Sequence, residues 1–211
     1  MKIMLVDDHR MVRDGLRAIL ENEGLQVVAE ASNGHEAIEL ALRTKPEVVI
    51  MDISMPDLNG IDATKRLLEE LPGTKVIALS MHSDRRYVIA MFEAGAVGYL
   101  LKNSAASELL QAVATVADGL TYISPSVAGS VLTGLGQERV APGSEKPLSV
   151  REREVLQLLA EGKSSKEIAT HLGLAVPTVE THRRQIMDKL NLRTIAELTK
   201  HAVREGLTSL E

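Results

Sequence analysis

The sequence predicts an α/β fold: a doubly wound parallel sheet over roughly the first 120 residues, followed by a smaller all-α domain of four helices. Two observations carry this. Short apolar runs alternate with amphipathic stretches of ten or more residues up to about position 120, and everything after Pro147 is patterned with helical periodicity alone. Between them, from Ser124, the texture breaks into prolines and glycines.

The strands are expected at Ile3–Val6, Val27–Ala31, Val48–Met51, Val76–Leu79 and Val97–Leu101, five in all, with helical crossovers between them. The runs at 48–51 and 76–79 contain no polar residue, as befits strands covered by helices on both faces. Glycines 24, 60, 73, 95 and 119 punctuate the boundaries. Pro125, Gly129, Gly134, Gly136, Pro142, Gly143 and Pro147 then fall close together, and the reading is a short helix over Ser126–Leu135 followed by a flexible linker. Beyond it, Ser149-Val-Arg-Glu152 and Ser164-Ser-Lys-Glu167 have capping-box spacing, and helices are expected at about 149–161, 165–172, 177–190 and 194–205. The domain limits that follow are 1–122, a linker at 123–146, and 147–211.

Composition narrows the function. No apolar run approaches the ~20 residues that span a bilayer, and the start turns acidic at Asp7-Asp8, too early for a secretory signal, so a cytoplasmic protein is expected. The absence of cysteine excludes disulfides, thiol catalysis and cysteine zinc sites, and the six histidines show no helical metal-ligand pair, so a metal would have to use oxygen. Residues 1–125 carry 12 Lys and Arg against 18 Asp and Glu, whereas residues 126–211 carry 12 against 11, so nucleic-acid contact would have to come from a local patch in the second half.

Asp7 and Asp8 follow the first strand, Asp52 the third, Ser80 ends the fourth and Lys102 the fifth. In an open parallel sheet these strand ends converge on one crevice. Clustered carboxylates repel one another and suit a hard divalent cation such as Mg²⁺. Taken singly, Asp8 or Ser104 could cap a helix, Lys102 could be a solvated charge and Tyr99 a core aromatic. Together, acids, a hydroxyl and a cation on successive strand ends match a phosphoryl acceptor, in which a carboxylate attacks phosphorus while positive groups neutralise the equatorial oxygens.

Asp7-Asp8, Asp52-Ile-Ser-Met-Pro56 with Gly60, Ser80, Tyr99 and Lys102-Asn-Ser resemble the receiver domain of two-component response regulators, a flavodoxin-like (βα)5 fold, over residues 1–120. The resemblance implies that Asp52 is phosphorylated, that Asp8 and Asp52 bind Mg²⁺ together with the backbone carbonyl of Ser54, and that Asp7 assists. It makes Ser80 and Tyr99 a switch pair and Lys102 a phosphate contact, with Ser54 and His82 overlooking the acyl phosphate.

In the second half, Ala169-x3-Gly173 lies between two helices and Pro177 opens a third, which is helix-turn-helix grammar. On the third helix Val179, Ile186 and Leu190 share an apolar face, while Thr181, Arg184 and Asp188 lie opposite, flanked by Glu180 and Arg183. The strings Leu148-Ser-Val-Arg-Glu-Arg-Glu-Val-Leu156, Gly162-Lys-Ser-Ser-Lys-Glu-Ile-Ala169 and Thr178-Val-Glu-Thr-His-Arg-Arg184 with Lys189-Leu190 resemble the LuxR-type domain of the NarL/FixJ family over about 146–208. That resemblance sets Glu180, Thr181 and Arg184 toward bases and Lys166, Thr178, Arg183 and Lys189 near phosphates, with His182 on the packing side. On the last helix Ile195, Leu198, Ala202 and Val203 form a stripe read as core packing, as a dimer contact, or as both.

The implied protein is a phosphorylation-controlled transcriptional regulator. Its implied partners are a sensor histidine kinase, double-stranded DNA with an inverted repeat, RNA polymerase and, once phosphorylated, a second copy of the chain. Two rival readings stand beside it. A haloacid-dehalogenase-type phosphatase would want an acid two residues past its nucleophile, where this chain has Ser54, and Gly134-Leu-Gly136 runs on to Arg139 without the third glycine of a dinucleotide fingerprint. A regulator whose helical half binds protein instead of DNA remains open at this level.

Overall fold

The computed structural model describes residues 1–134 and 148–208, with the backbone alone for 130–134. The described residues fall into two compact units, one within 1–138 and one within 139–211. The expected linker over Gly136–Pro147, and with it the boundary at 146, lies outside the described residues.

The first unit is a parallel sheet with helices on both faces. Its elements run β1 (Lys2–Val6), α1 (Arg10–Asn22), β2 (Gln26–Ala31), α2 (Gly34–Thr44), β3 (Val48–Asp52), α3 (Gly60–Glu70), β4 (Lys75–Ser80), α4 (Arg85–Glu93), β5 (Gly98–Leu101), α5 (Ala106–Ala117), β6 (Tyr122–Ile123) and α6 (Pro125–Gly134). The strand order is β2-β1-β3-β4-β5-β6. Because side chains alternate across a strand, the central strands feed two cores. Met4, Val6, Val49, Met51 and Ala78 meet Ala37 and Ala41 of α2, Ala63 and Leu67 of α3, and Val88 and Met91 of α4. Ile3, Leu5, Val48, Ile50, Ile77 and Leu79 meet Leu20 of α1 and Leu109, Val113 and Val116 of α5. Every residue of β3 is buried, which explains its unbroken apolar run and puts Asp52 at the end of the innermost strand.

The sheet has six strands among the described residues, one more than expected. Tyr122–Ile123 extends the edge by pairing in parallel with Gly98 and Tyr99. Two residues are too short for a periodicity signal, and the pairing depends on β5. The helix after it starts one residue earlier than expected and does not hang free: the Ser124 amide donates to the Tyr99 carbonyl at 2.9 Å, and Val127 is fully buried in the same core as Tyr99. The start of α6 therefore packs on the first unit, where the sequence reading put it in the linker.

The second unit holds α7 (Val150–Ala160), α8 (Ser165–Leu172), α9 (Val176–Leu190) and α10 (Ile195–Arg204), packed around Val155, Leu156, Leu159, Ile168, Val179, Ile186, Leu198 and Ala202. Both expected capping boxes form, Ser149 with Glu152 and Ser164 with Glu167, and a third, Thr194 with Glu197, opens α10. Each satisfies backbone N–H groups that the first helical turn leaves open. Among the described residues no helix is long and apolar enough to cross a membrane.

Candidate functional site

The parallel register brings the carboxyl ends of β1, β3, β4 and β5 side by side, and the polar residues singled out by the sequence meet there. Lys102 Nζ lies 2.7 Å from Oδ2 of Asp52 and 2.8 Å from Oδ2 of Asp7, a bridge between two carboxylates that are otherwise buried. Ligand atoms of Asp7, Asp8, His9 and Asp52 all lie within 4.8 Å of one another. Asp8 is exposed at the rim and Asp7 and Asp52 form the floor.

This arrangement is electrostatically loaded. Burial, reinforced by the charge of Asp7, pushes the Asp52 carboxyl up to about 6 against the pull of Lys102. Burial works against the charged form of Lys102, yet Asp52 and Asp7 outweigh it and hold the ammonium above its ordinary value. Two floor carboxylates share one cation, so the crevice retains negative charge that a divalent cation would neutralise.

The loop after β3 is shaped by contact. A Cβ on Gly60 would stand 1.9 Å from the Asp52 carbonyl oxygen, so only glycine lets α3 begin this close to the end of β3. The Gly60 amide donates to the Ile53 carbonyl at 2.8 Å, and Asn59 caps α3 by accepting from the Asp62 amide. The Ser54 amide donates to Asp52 Oδ1 at 3.2 Å.

Ser80 is buried, and its Oγ accepts from the His82 amide at 3.0 Å. The Tyr99 ring is fully buried, and its hydroxyl donates to the His82 carbonyl at 2.8 Å. Burial pushes that hydroxyl up to about 12, so it stays protonated and remains a donor. The His82 ring stacks on Tyr87 of α4, with centroids 4.7 Å apart. The loop carrying Ser80 and His82 is thus joined to both Tyr99 and α4.

Sequence reasoning missed His9 and Arg13. His9 Nδ1 lies 2.8 Å from Asp8 Oδ1, and the negative charge of Asp8 raises its pKa. Arg13 Nη1 donates to the Asp7 carbonyl at 2.5 Å, and its Nε to Glu30 at 3.1 Å. The available signal was helical: residue 13 returns to the loop at 9 after one turn.

In the second unit Gly173 adopts a left-handed conformation (φ 64°) between α8 and α9, as the turn requires, and Pro177 sits in the first turn of α9. Val179, Ile186 and Leu190 are buried, while Lys166, Thr178, Glu180, Thr181 and Arg184 are exposed and Arg183 is half-buried. Glu180 accepts a hydrogen bond from Ser165 and lies 4.0 Å from Arg183, which braces it on the outer face. Lys189 is already engaged: its Nζ lies 2.7 Å from Oε2 of the buried Glu152. His182 is half-buried. The expected stripe on α10 is split, with Leu198 and Ala202 fully buried and Ile195 46% exposed.

Residues 3–114 match the family model for the response regulator receiver domain, and residues 146–202 match that for bacterial regulatory proteins of the luxR family. The chain belongs to the NarL/FixJ family of two-component response regulators. This response regulator is 41% identical over 209 residues to the transcriptional regulatory protein MctR of Rhizobium johnstonii, covering 99% of this chain and 95% of that one. A LuxR-family two-component response regulator from Aurantimonas sp. is similar in structure, with TM-score 0.62 and 36% identity over 64% of this chain and 98% of its own. The RcsB response regulator in complex with DNA aligns with TM-score 0.61 and 27% identity over 97% of this chain and 98% of its own. The response regulator is therefore a transcription regulator with a receiver domain and a LuxR-type DNA-binding domain.

Proposed function

We propose that this response regulator accepts a phosphoryl group on Asp52 from a phosphohistidine of a sensor kinase, and that the modification controls sequence-specific DNA binding by the second unit. The carrying observation is Lys102, held between Asp52 and Asp7 at the sheet's carboxyl edge. In the transfer the P–N bond to the donor imidazole breaks, the imidazole leaves with the electron pair, and an Asp52 oxygen forms the new P–O bond. Lys102 would turn from the carboxylates to the new phosphoryl oxygens, and the Ser80 hydroxyl would donate to one of them.

Asp7, Asp8, Asp52 and the Ser54 carbonyl would hold Mg²⁺. The carboxylate oxygens of Asp7, Asp8 and Asp52 and the surplus negative charge fit a hard cation, and when bound it would supply charge neutralisation for the transferring group. His9 stands at the rim of that set. Re-aiming of Ser80 draws on the His82 amide, and through His82 reaches Tyr99 and Tyr87.

On the DNA side, Glu180, Thr181 and Arg184 would read base edges, with Lys166, Thr178 and Arg183 at phosphates. Lys189 takes a phosphate role only by leaving Glu152. The phosphorylated form would pair into a homodimer on an inverted repeat in the cytoplasm and contact RNA polymerase from there. The test is selection from random duplexes, with and without a small-molecule phosphodonor and Mg²⁺. An inverted repeat that is enriched on phosphorylation and lost in Asp52→Ala is expected. No enrichment in either state would move the assignment of the second unit to a protein partner.

A further inference from the structure

Arg13 has no part in the chemistry above, yet it grips the loop on which that chemistry depends. Its side chain is only 14% exposed, and it carries two bonds at once, to the Asp7 main-chain carbonyl and to the Glu30 carboxylate. The planar guanidinium fork is the side chain suited to hold a carbonyl and a carboxylate in fixed directions; an ammonium lacks that geometry. Glu30 lies on β2 beside Leu5 of β1 and takes a second guanidinium from Arg17, whose Nε stands at 2.6 Å. Burial pushes the Glu30 carboxyl up, but the bonds from Arg17 and Arg13 prevail and keep it ionised. The anchor is therefore a charged one, fixed to the neighbouring strand.

Asp7 is held from both sides of its main chain. Its amide donates to the Ala31 carbonyl at 3.1 Å, and its carbonyl receives Arg13. With both groups fixed, the Cα–Cβ direction of Asp7 is set, and so is the plane of the peptide leading to Asp8. We propose that Arg13 is a positioning residue for the acidic crevice: by holding the Asp7 carbonyl against Glu30 it aims Asp7 and Asp8 at a divalent cation. This rests on the Mg²⁺ reading given under Proposed function. A purely electrostatic role has the opposite sign, because removing a nearby positive charge would tighten cation binding.

The test uses the full-length protein and three variants: Arg13→Gln, Arg13→Lys and Glu30→Gln. Mg²⁺ affinity is measured by isothermal titration calorimetry, metal-free stability by thermal melting, and the rate of phosphorylation by a small-molecule phosphodonor as a function of Mg²⁺. Loss of a group that orients metal ligands typically costs 10- to 100-fold in affinity, so Arg13→Gln should weaken Mg²⁺ binding by roughly tenfold. The half-saturating Mg²⁺ for phosphorylation should rise in step, while the rate at saturating Mg²⁺ changes little. Arg13→Lys should fall in between, and it carries the test if Arg13→Gln does not fold. Glu30→Gln keeps the Asp7 contact but loosens its anchor, so it should weaken Mg²⁺ binding less than Arg13→Gln does and lower the melting temperature. Mg²⁺ binding unchanged or tighter in both Arg13 variants would overturn the proposal. If the unsubstituted protein bound no Mg²⁺ at all, the metal reading itself would fall, and this inference with it.

Discussion

Lys102 Nζ stands 2.7 Å from Asp52 Oδ2 in a crevice where its other neighbour, Asp7, is also a buried carboxylate. One cation between two anions leaves a surplus of negative charge, which adds to burial in pushing the Asp52 carboxyl up to about 6. Burying this charge costs the resting protein stability.

Asp52→Asn should therefore stabilise the metal-free protein while abolishing phosphorylation. The displacement from 3.8 to about 6 already includes the pull of Lys102 and corresponds to roughly 3 kcal/mol at neutral pH, which a neutral asparagine should largely recover. Urea unfolding at neutral pH with a chelator present measures it. Equal or lower stability in the variant would show that the crevice is not strained by charge.

Gly60→Ala places a methyl group where the Asp52 carbonyl oxygen lies, with backbone on both sides. Overpacking of this kind costs about 1–3 kcal/mol, and the upper end is expected because no flexible side chain can yield. The displaced acceptor strand should also slow phosphorylation by a small-molecule donor, measured on the same preparations.

Tyr99→Phe keeps the buried ring and removes the hydroxyl that donates to the His82 carbonyl. A loss of about 1 kcal/mol in stability is expected, with the phosphorylation rate of Asp52 nearly unchanged, since the hydroxyl bonds the loop and not the acceptor. Thermal melting and phosphodonor kinetics separate the two effects.

Glu152→Gln breaks the tie between α7 and α9. Burial raises the Glu152 carboxyl, but Lys189 and the Ser149 groups outweigh it and hold it below 4.5. A depressed carboxylate stabilises above its unfolded value and loses that contribution as pH falls through the lower folded one. The variant should thus be about 2 kcal/mol less stable at neutral pH, with the gap closing below pH 4. Amide hydrogen exchange in α7 and α9 of the full chain reads it out, and a pH-independent gap would assign the effect to packing alone.

Much of this protein was legible from residue order. Short apolar runs and helical patterning located five strands and the helices between them, capping boxes marked α7 and α8, and the strand-end placement of Asp7, Asp8, Asp52, Ser80 and Lys102 brought them to one crevice, because parallel topology leaves their strand ends nowhere else to converge. What depended on tertiary contact could not be read that way. β6 is two residues long and exists by pairing with β5; α6 belongs to the first unit because Val127 enters its core; Lys189 is drawn to Glu152 across 37 positions; Arg13 is drawn to the Asp7 carbonyl through an anchor on another strand. Periodicity reports which face of an element is buried, while the partner a polar side chain finds is set by distances between elements, and those come into being only when the chain is packed.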